Sequence, residues 1–311
     1  MKKIVFLDEY SIAGRDLSKI TSQGEYIAYE NTKKEDVVER LKGADIAITN
    51  KVLIDGEAMR QLPDLKLICV AATGMNNVDL NAAAELGIEV KNAVGYSTSS
   101  VAETTLASAL ALARNIVYFN EYFHDGRYSQ ADRAFCYDRL TFEIRGKKWG
   151  IIGLGNIGRE VARLATAFGC EVRYFSTSGT KREEAYPAVE LRELLEWSDI
   201  VSVHSPLNDR TRDLVGREEL KAMKPSAIII NVARGGIINE AALTEALDNG
   251  WIEAAALDVF SVEPLRTSPL YDIKDKYRLL ASPHNAWSAA EAIDRLIDCV
   301  AENIRQWSAK Q

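Results

Sequence analysis

The sequence predicts an α/β protein built from parallel βαβ units. Short apolar runs alternate with helical patterns almost from end to end. Most of these runs are apolar at consecutive positions, as strands must be when both faces of their sheet are covered. No fixed-period repeat and no low-complexity stretch interrupts the alternation.

Taken in order, the apolar runs predict strands at 3–7, 46–49, 67–70, 148–152, 172–175, 200–203, 227–230 and 254–257. Between them, helical patterns are predicted at 34–41, 157–168, 240–249 and 289–307. The longest pattern covers 97–123, with Leu106, Leu110, Ala113 and Val117 spaced as one stripe. Ser100 followed by Glu103 reads as a capping box near its start. A helix of that length suits a connection between two lobes. From 125 to 145 the periodicity is lost and charges mix with Phe135, Tyr137 and Phe142, so an irregular arm that reaches a partner subunit is expected.

Composition bounds the function. The 311 residues are about twice the ~150 of a typical domain, so two domains or one large one are expected. With 47% hydrophobic and 27% charged residues, collagen-like, disordered and coiled-coil classes are disfavoured. The net charge is −7 and the basic residues are scattered, so no nucleic acid partner is expected. Cys69, Cys136, Cys170 and Cys299 lie far apart without a CxxC, and the histidines are His124, His204 and His284, so no metal site is expected. Near the start, the apolar run Ile4-Val5-Phe6-Leu7 meets Asp8 and Glu9, too soon for a signal peptide or membrane span. The expectation is a cytoplasmic protein with reduced thiols and no membrane partner.

The sharpest local motif is Gly153-Leu154-Gly155-Asn156-Ile157-Gly158, between a predicted strand and a predicted helix. Gly153 permits a tight turn, Gly155 lets the backbone approach a pyrophosphate, and Gly158 lets the helix pack on the strand. The pyrophosphate would sit at the helix N-terminus, against Asn156 and Ile157. With another strand at 172–175 following, the loop reads as a dinucleotide site. An acid that binds the adenosine ribose is expected about 20 residues on, and Ser176 stands there. Ser176, Thr177 and Ser178 can hydrogen-bond a 2′-phosphate without repelling it, and Lys181 and Arg182 add positive charge. NADP(H) is therefore expected to be accepted at least as well as NAD(H).

Three further segments complete the pattern: Asn231-Val232-Ala233-Arg234-Gly235-Gly236, Leu257-Asp258-Val259-Phe260-Ser261-Val262-Glu263-Pro264, and Ser282-Pro283-His284-Asn285-Ala286-Trp287. In this order and spacing the chain resembles the D-isomer-specific 2-hydroxyacid dehydrogenases. Ile48-Thr49-Asn50-Lys51, Ala71-Ala72-Thr73-Gly74-Met75-Asn76-Asn77-Val78-Asp79 and Gly95-Tyr96-Ser97-Thr98 resemble most closely its glycerate dehydrogenase and hydroxypyruvate reductase branch. The resemblance runs from about residue 45 onward.

That resemblance implies two Rossmann-like, doubly wound parallel-sheet domains. Residues 1–97 plus 286–311 would form a flavodoxin-like substrate domain, discontinuous in sequence, and 98–285 the dinucleotide-binding domain. Chemistry would occur in the cleft between them, beyond the carboxyl ends of the strands. The implied activity is hydride transfer between NAD(P)H and a small 2-keto acid of the hydroxypyruvate or glyoxylate type, by a homodimer. Arg234 would hold the substrate carboxylate or carbonyl in a fixed fork. His284 would donate the proton, a task suited to imidazole with its ordinary pKa of ~6.5, and Glu263 would orient the ring. Thr73 and Gly74 would offer N–H groups to the substrate carboxylate, with Asn50 and Lys51 as specificity contacts. Asp258 and Val232 match positions that contact the nicotinamide carboxamide, and Pro206 and Thr211 match the turn along the adenosine and ribose. His204 reads as structural, and His124 matches no motif.

Three positions depart from the family pattern. Ser176 replaces the usual acid, Asn285 stands where an apolar residue is common, and Ile293 takes a place where arginine is frequent. Rival readings are a phosphoglycerate dehydrogenase-like enzyme and a non-catalytic, dinucleotide-sensing protein resembling the corepressors on this scaffold.

Overall fold

The computed structural model describes residues 1–179 and 185–310. The chain divides into two compact units, Met1–Ser97 with Ser288–Gln311, and Thr98–Trp287.

The first unit is a five-stranded sheet of β1 (Lys3–Phe6), β2 (Glu25–Ala28), β3 (Ile46–Thr49), β4 (Leu67–Val70) and β5 (Glu89–Asn92), in the order β2-β1-β3-β4-β5. Every pairing is parallel. Short helices α1 (Ser18–Thr21), α2 (Val37–Leu41), α3 (Gly56–Arg60) and α4 (Leu80–Glu85) make the crossovers. Because side chains alternate across a strand, Val5, Leu7, Ala47, Ile68 and Val70 share one core with Val37, Leu41 and Met59. The alternate residues Ile4, Phe6, Ile46, Ile48, Leu67 and Cys69 are buried as well. The C-terminal helix Ala290–Ser308 joins this unit, burying Ile293, Leu296, Ile297, Val300 and Ile304 at helical spacing. Ile293, where arginine was expected, is thus part of an apolar stripe.

The second unit is a six-stranded sheet of β6 (Lys148–Ile152), β7 (Glu171–Phe175), β8 (Ile200–Val203), β9 (Ile228–Asn231), β10 (Ala254–Leu257) and β11 (Leu279–Ala281), ordered β11-β10-β9-β8-β6-β7. All its pairings are parallel. Helices α5 (Thr98–Ala113) and α7 (Asn156–Ala167) cover one face through Val101, Leu106, Val161 and Ala165. Helices α8 (Leu191–Trp197), α9 (Arg217–Ala222) and α10 (Glu240–Asn249) cover the other through Leu194, Leu220 and Leu243. Strand order reverses at β1/β3 in one sheet and at β6/β8 in the other, the switch points at which such sheets bind ligands.

Three expectations are corrected. The single helix at 97–123 is two, α5 and α6 (Ile116–His124), separated where Asn115 adopts the left-handed region at φ 48°. Asparagine tolerates that conformation better than most residues, and the buried stripe ends there: Ala113 is fully buried but Val117 is 48% exposed. Ser100 is no cap either. It lies in the first turn of α5, and its hydroxyl donates to the Ala286 carbonyl at 2.6 Å. Similarly, the helix expected at 34–41 begins as a 3-10 turn, Lys34–Asp36.

Candidate active site

At the β6/β8 switch point, the glycine loop turns directly into α7. A Cβ on Gly158 would lie 2.3 Å from the Gly153 carbonyl oxygen, so only glycine allows this packing. Gly155 faces open space and no side chain caps α7. Asn156 and Ile157 therefore present a helix N-terminus to which a diphosphate can come close, and the loop fits a dinucleotide.

Beside it, a cavity of about 490 Å³ is lined by Phe175, Ser176, Thr177, Glu190, Glu193 and Arg210, among others. The Ser176 and Ser178 hydroxyls are 3.2 Å apart. Lys181 and Arg182 lie outside the described residues. The turn after β8 is closed from within: the buried Thr211 hydroxyl donates to the Pro206 carbonyl at 2.7 Å and accepts the Asn208 N–H at 2.8 Å. His204 ends the strand. Its Nε2 is 2.9 Å from the Ser202 hydroxyl, which also accepts the Trp149 indole N–H at 2.9 Å. Burial pushes the His204 imidazole down to about 3, so it is neutral at ordinary pH.

The loops after β10 and β11 bring Glu263 and His284 together, and Arg234 lies on the loop after β9, its Nη1 donating to the Ala233 carbonyl at 2.7 Å. A Cβ on Gly235 would fall 1.9 Å from the Phe260 backbone, so the Arg234 loop and the loop leading to Glu263 are in direct contact. Asn231, almost fully buried at the end of β9, holds the first of these by accepting the Ala233 N–H at 3.0 Å and donating to the Arg234 carbonyl at 2.9 Å. Val232 is buried between them in sequence. Glu263 Oε1 accepts the Phe260 N–H at 2.9 Å, which aims Oε2 at His284 Nδ1, 2.6 Å away. Both side chains still reach solvent, at 32% and 23% exposure.

His284 adopts φ 57°, an uncommon conformation for a residue other than glycine. Its N–H donates to the Asp258 carbonyl at 2.7 Å. The Asp258 carboxylate accepts the Ser282 hydroxyl at 2.5 Å and the N–H groups of Asn285 and Ala286 at 2.8 and 2.9 Å. Asp258 thus fixes the loop that carries His284. Asn285 takes part through its backbone, an interaction indifferent to its side chain.

In the first unit, the predicted substrate residues cluster at the ends of β3 and β4. Asp8, fully buried after β1, accepts the Asn50 N–H at 2.9 Å and the Lys51 N–H at 2.6 Å. Burial pushes its carboxyl above the ordinary carboxylate range, although the N–H groups of Asn50, Lys51 and Val52 oppose that shift. The Asn77 amide donates to the Val52 carbonyl at 3.1 Å and to the Asn50 carbonyl at 3.4 Å, tying this turn to the loop of Thr73 and Gly74. Among the described residues, neither the Thr73 nor the Gly74 N–H has an acceptor.

Sequence reasoning missed Asp8 and gave no role to Asn77 and Asn231, although both stand in quoted segments; all three act on backbone groups. Asp8 did have a signal, an acid closing an apolar run. Among the described residues, no cluster of three or more His, Cys, Asp or Glu side chains could hold a metal ion, and no helix is long and apolar enough to cross a membrane. His124 is exposed at the end of α6.

A family model described as D-isomer specific 2-hydroxyacid dehydrogenase, NAD binding domain, matches residues 106–286. The chain is 39% identical to the glycerate dehydrogenase of Methylorubrum extorquens, over 99% of this chain and 96% of that protein. It is 36% identical to the hydroxypyruvate reductase of Blautia hydrogenotrophica, over 98% of this chain and 96% of that one. In structure it is similar to the NADPH-dependent glyoxylate/hydroxypyruvate reductase of Sinorhizobium meliloti, with a TM-score of 0.86, 26% identity, and coverage of 99% of this chain and 95% of that chain.

Proposed function

Since the chain belongs to the D-isomer specific 2-hydroxyacid dehydrogenase family, we propose that it reduces hydroxypyruvate or glyoxylate to the 2-hydroxy acid, accepting NADPH at least as well as NADH. It is an oxidoreductase of the CH–OH group, a 2-keto acid reductase. The single observation that carries the mechanism is the 2.6 Å contact between His284 Nδ1 and Glu263 Oε2. With Nδ1 committed to the carboxylate, Nε2 is the atom that delivers the proton to the developing alkoxide oxygen.

Bound NAD(P)H supplies the hydride to the keto carbon. Gly153, Gly155 and Gly158, with the N–H groups that open α7, would hold its diphosphate, and Ser176 and Thr177 its adenosine ribose. The Arg234 guanidinium supplies a planar fork for the substrate carboxylate or carbonyl. The N–H groups of Thr73 and Gly74 are donors for the same carboxylate, and Asn50 and Lys51 set selectivity among keto acids. The acceptance of NADPH rests on Ser176, where a carboxylate would repel a 2′-phosphate. The reading includes a homodimer formed through the 125–145 arm.

The test is oxidation of NADPH and NADH, followed by absorbance, with hydroxypyruvate, glyoxylate, pyruvate and 2-ketoisocaproate. Turnover is expected with the first two, and no turnover with any of the four overturns the reading. His284→Ala should lower kcat with hydroxypyruvate by about 10²- to 10⁴-fold while the fold persists. Near-normal turnover by a folded variant would remove His284 from its role.

A further inference from the structure

We propose that Arg210 is a determinant of cofactor specificity that grips the 2′-phosphate distinguishing NADPH from NADH. This rests on the cofactor reading above and adds to it a residue that no motif marks.

Arg210 belongs to the turn after β8, while Ser176 and Thr177 belong to the turn after β7, and β6 lies between those strands. Arg210 nevertheless lines the same cavity as the two hydroxyls. Its Nη1 reaches across to the Ser178 carbonyl at 3.4 Å, a long contact that an incoming phosphate can readily replace. Among the described residues its guanidinium has no carboxylate partner. Arg173, in β7, differs: it contacts Glu193 at 3.3 Å and stacks over Trp197 at 4.4 Å.

The charges around the cavity sharpen the point. Of its described lining residues, Glu190 and Glu193 are acidic and Arg210 is the cation. Without Arg210 the described lining is negative, which disfavours a phosphate but not a ribose 2′-hydroxyl. With it, the cavity that Ser176 and Thr177 line also holds a guanidinium, which suits a phosphate through paired N–H donors. Neither the fork nor the hydroxyls would serve a neutral ribose diol as well as the acid this chain lacks at Ser176.

The experiment is calorimetric titration of the intact protein with 2′,5′-ADP and with 5′-AMP, which differ only in the 2′-phosphate. It compares the original chain with Arg210→Ala and Arg210→Lys, alongside kcat/KM for NADPH and NADH. Arg210→Ala should weaken 2′,5′-ADP by about tenfold or more, as expected for lost charge-assisted hydrogen bonds, with a much smaller change for 5′-AMP. Arg210→Lys should fall between, because an ammonium keeps the charge but loses the fork. The 5′-AMP titration also reports whether each variant is folded. If the original chain prefers 2′,5′-ADP and Arg210→Ala keeps that preference, the role of Arg210 is overturned while the cofactor reading stands. If the original chain shows no preference, the cofactor reading itself fails, and this inference with it.

Discussion

Asp8 shows how a buried carboxylate can fix the main chain at a candidate site. Its oxygens accept the N–H groups of Asn50 and Lys51, which point inward at the end of β3. Replacing it with asparagine turns an amide NH₂ toward those donors and leaves one of them without an acceptor, a loss worth about 1–3 kcal/mol. Asp8→Asn should therefore raise KM for the 2-keto acid by roughly tenfold and leave the affinity for 2′,5′-ADP unchanged. An unaltered KM would show that the Asn50–Lys51 turn does not touch substrate. This division between visible and hidden residues recurs. Arg234, Glu263 and His284, to which we assign the chemistry, stand in motifs, and the structure holds Glu263 and His284 in contact. Asp8, Asn77 and Asn231 serve main-chain groups, whose partners no spacing in a sequence reveals.

At the scale of elements, what was legible depended on burial. Strands β3, β4, β6 and β10, buried on both faces, read directly as apolar runs. Of the edge strands, β7 still read as an apolar run because Val172 and Tyr174 are buried, but β2, β5 and β11 did not, because most of their residues are only partly buried, as in Glu25-Tyr26-Ile27-Ala28. An edge exposes one side of the strand to water, and the continuous apolar signal disappears. The break at Asn115 was hidden for a different reason, since Ile116 and Val117 prolong the apolar spacing beyond the point where burial stops. Elements are also joined by side chains. Asp199, just before β8, accepts the Lys148 N–H of β6 at 2.9 Å and pairs with Lys224 at 2.7 Å. Burial opposes its ionisation, but these two partners outweigh it and hold its carboxyl below the ordinary 3.8. A folded-state value below the unfolded one stabilises the protein above pH 3.8 and is lost as pH falls through the folded value. Asp199→Asn should cost about 1 kcal/mol in urea melts at neutral pH, and the gap should narrow progressively as melts are taken from pH 3.8 down through the lower folded value. A gap that persists in acid would mean that packing, not charge, is what Asp199 supplies.

For the whole molecule, the strongest claim on a partner comes from the segment without regular structure. Beyond the 3-10 turn Tyr128–Gln130, the 125–145 arm is irregular, yet it is held to its own unit. Asn115 donates to the Leu140 carbonyl at 3.0 Å, the Tyr118 hydroxyl donates to Asp138 at 2.9 Å, and Arg127 and Arg139 both stack over the Tyr118 ring. Arg139 also pairs with Asp275. Held in this way, the arm exposes Phe135, Tyr137 and Leu140 at 73%, 75% and 80%. Single exposed apolar residues are ordinary, but three large ones on one tethered segment fit a surface already ordered for association, which lowers the entropy lost on binding. A stable dimer needs on the order of 1,000 Å² or more of buried surface, so the arm would be the anchor of a wider contact. Light scattering after size exclusion should give twice the mass of one chain. The combined variant Phe135→Asp, Tyr137→Ser and Leu140→Asp should elute as a folded monomer, since none of these side chains is needed by the core. A monomeric original chain, or a variant that remains dimeric, would remove the arm from the interface.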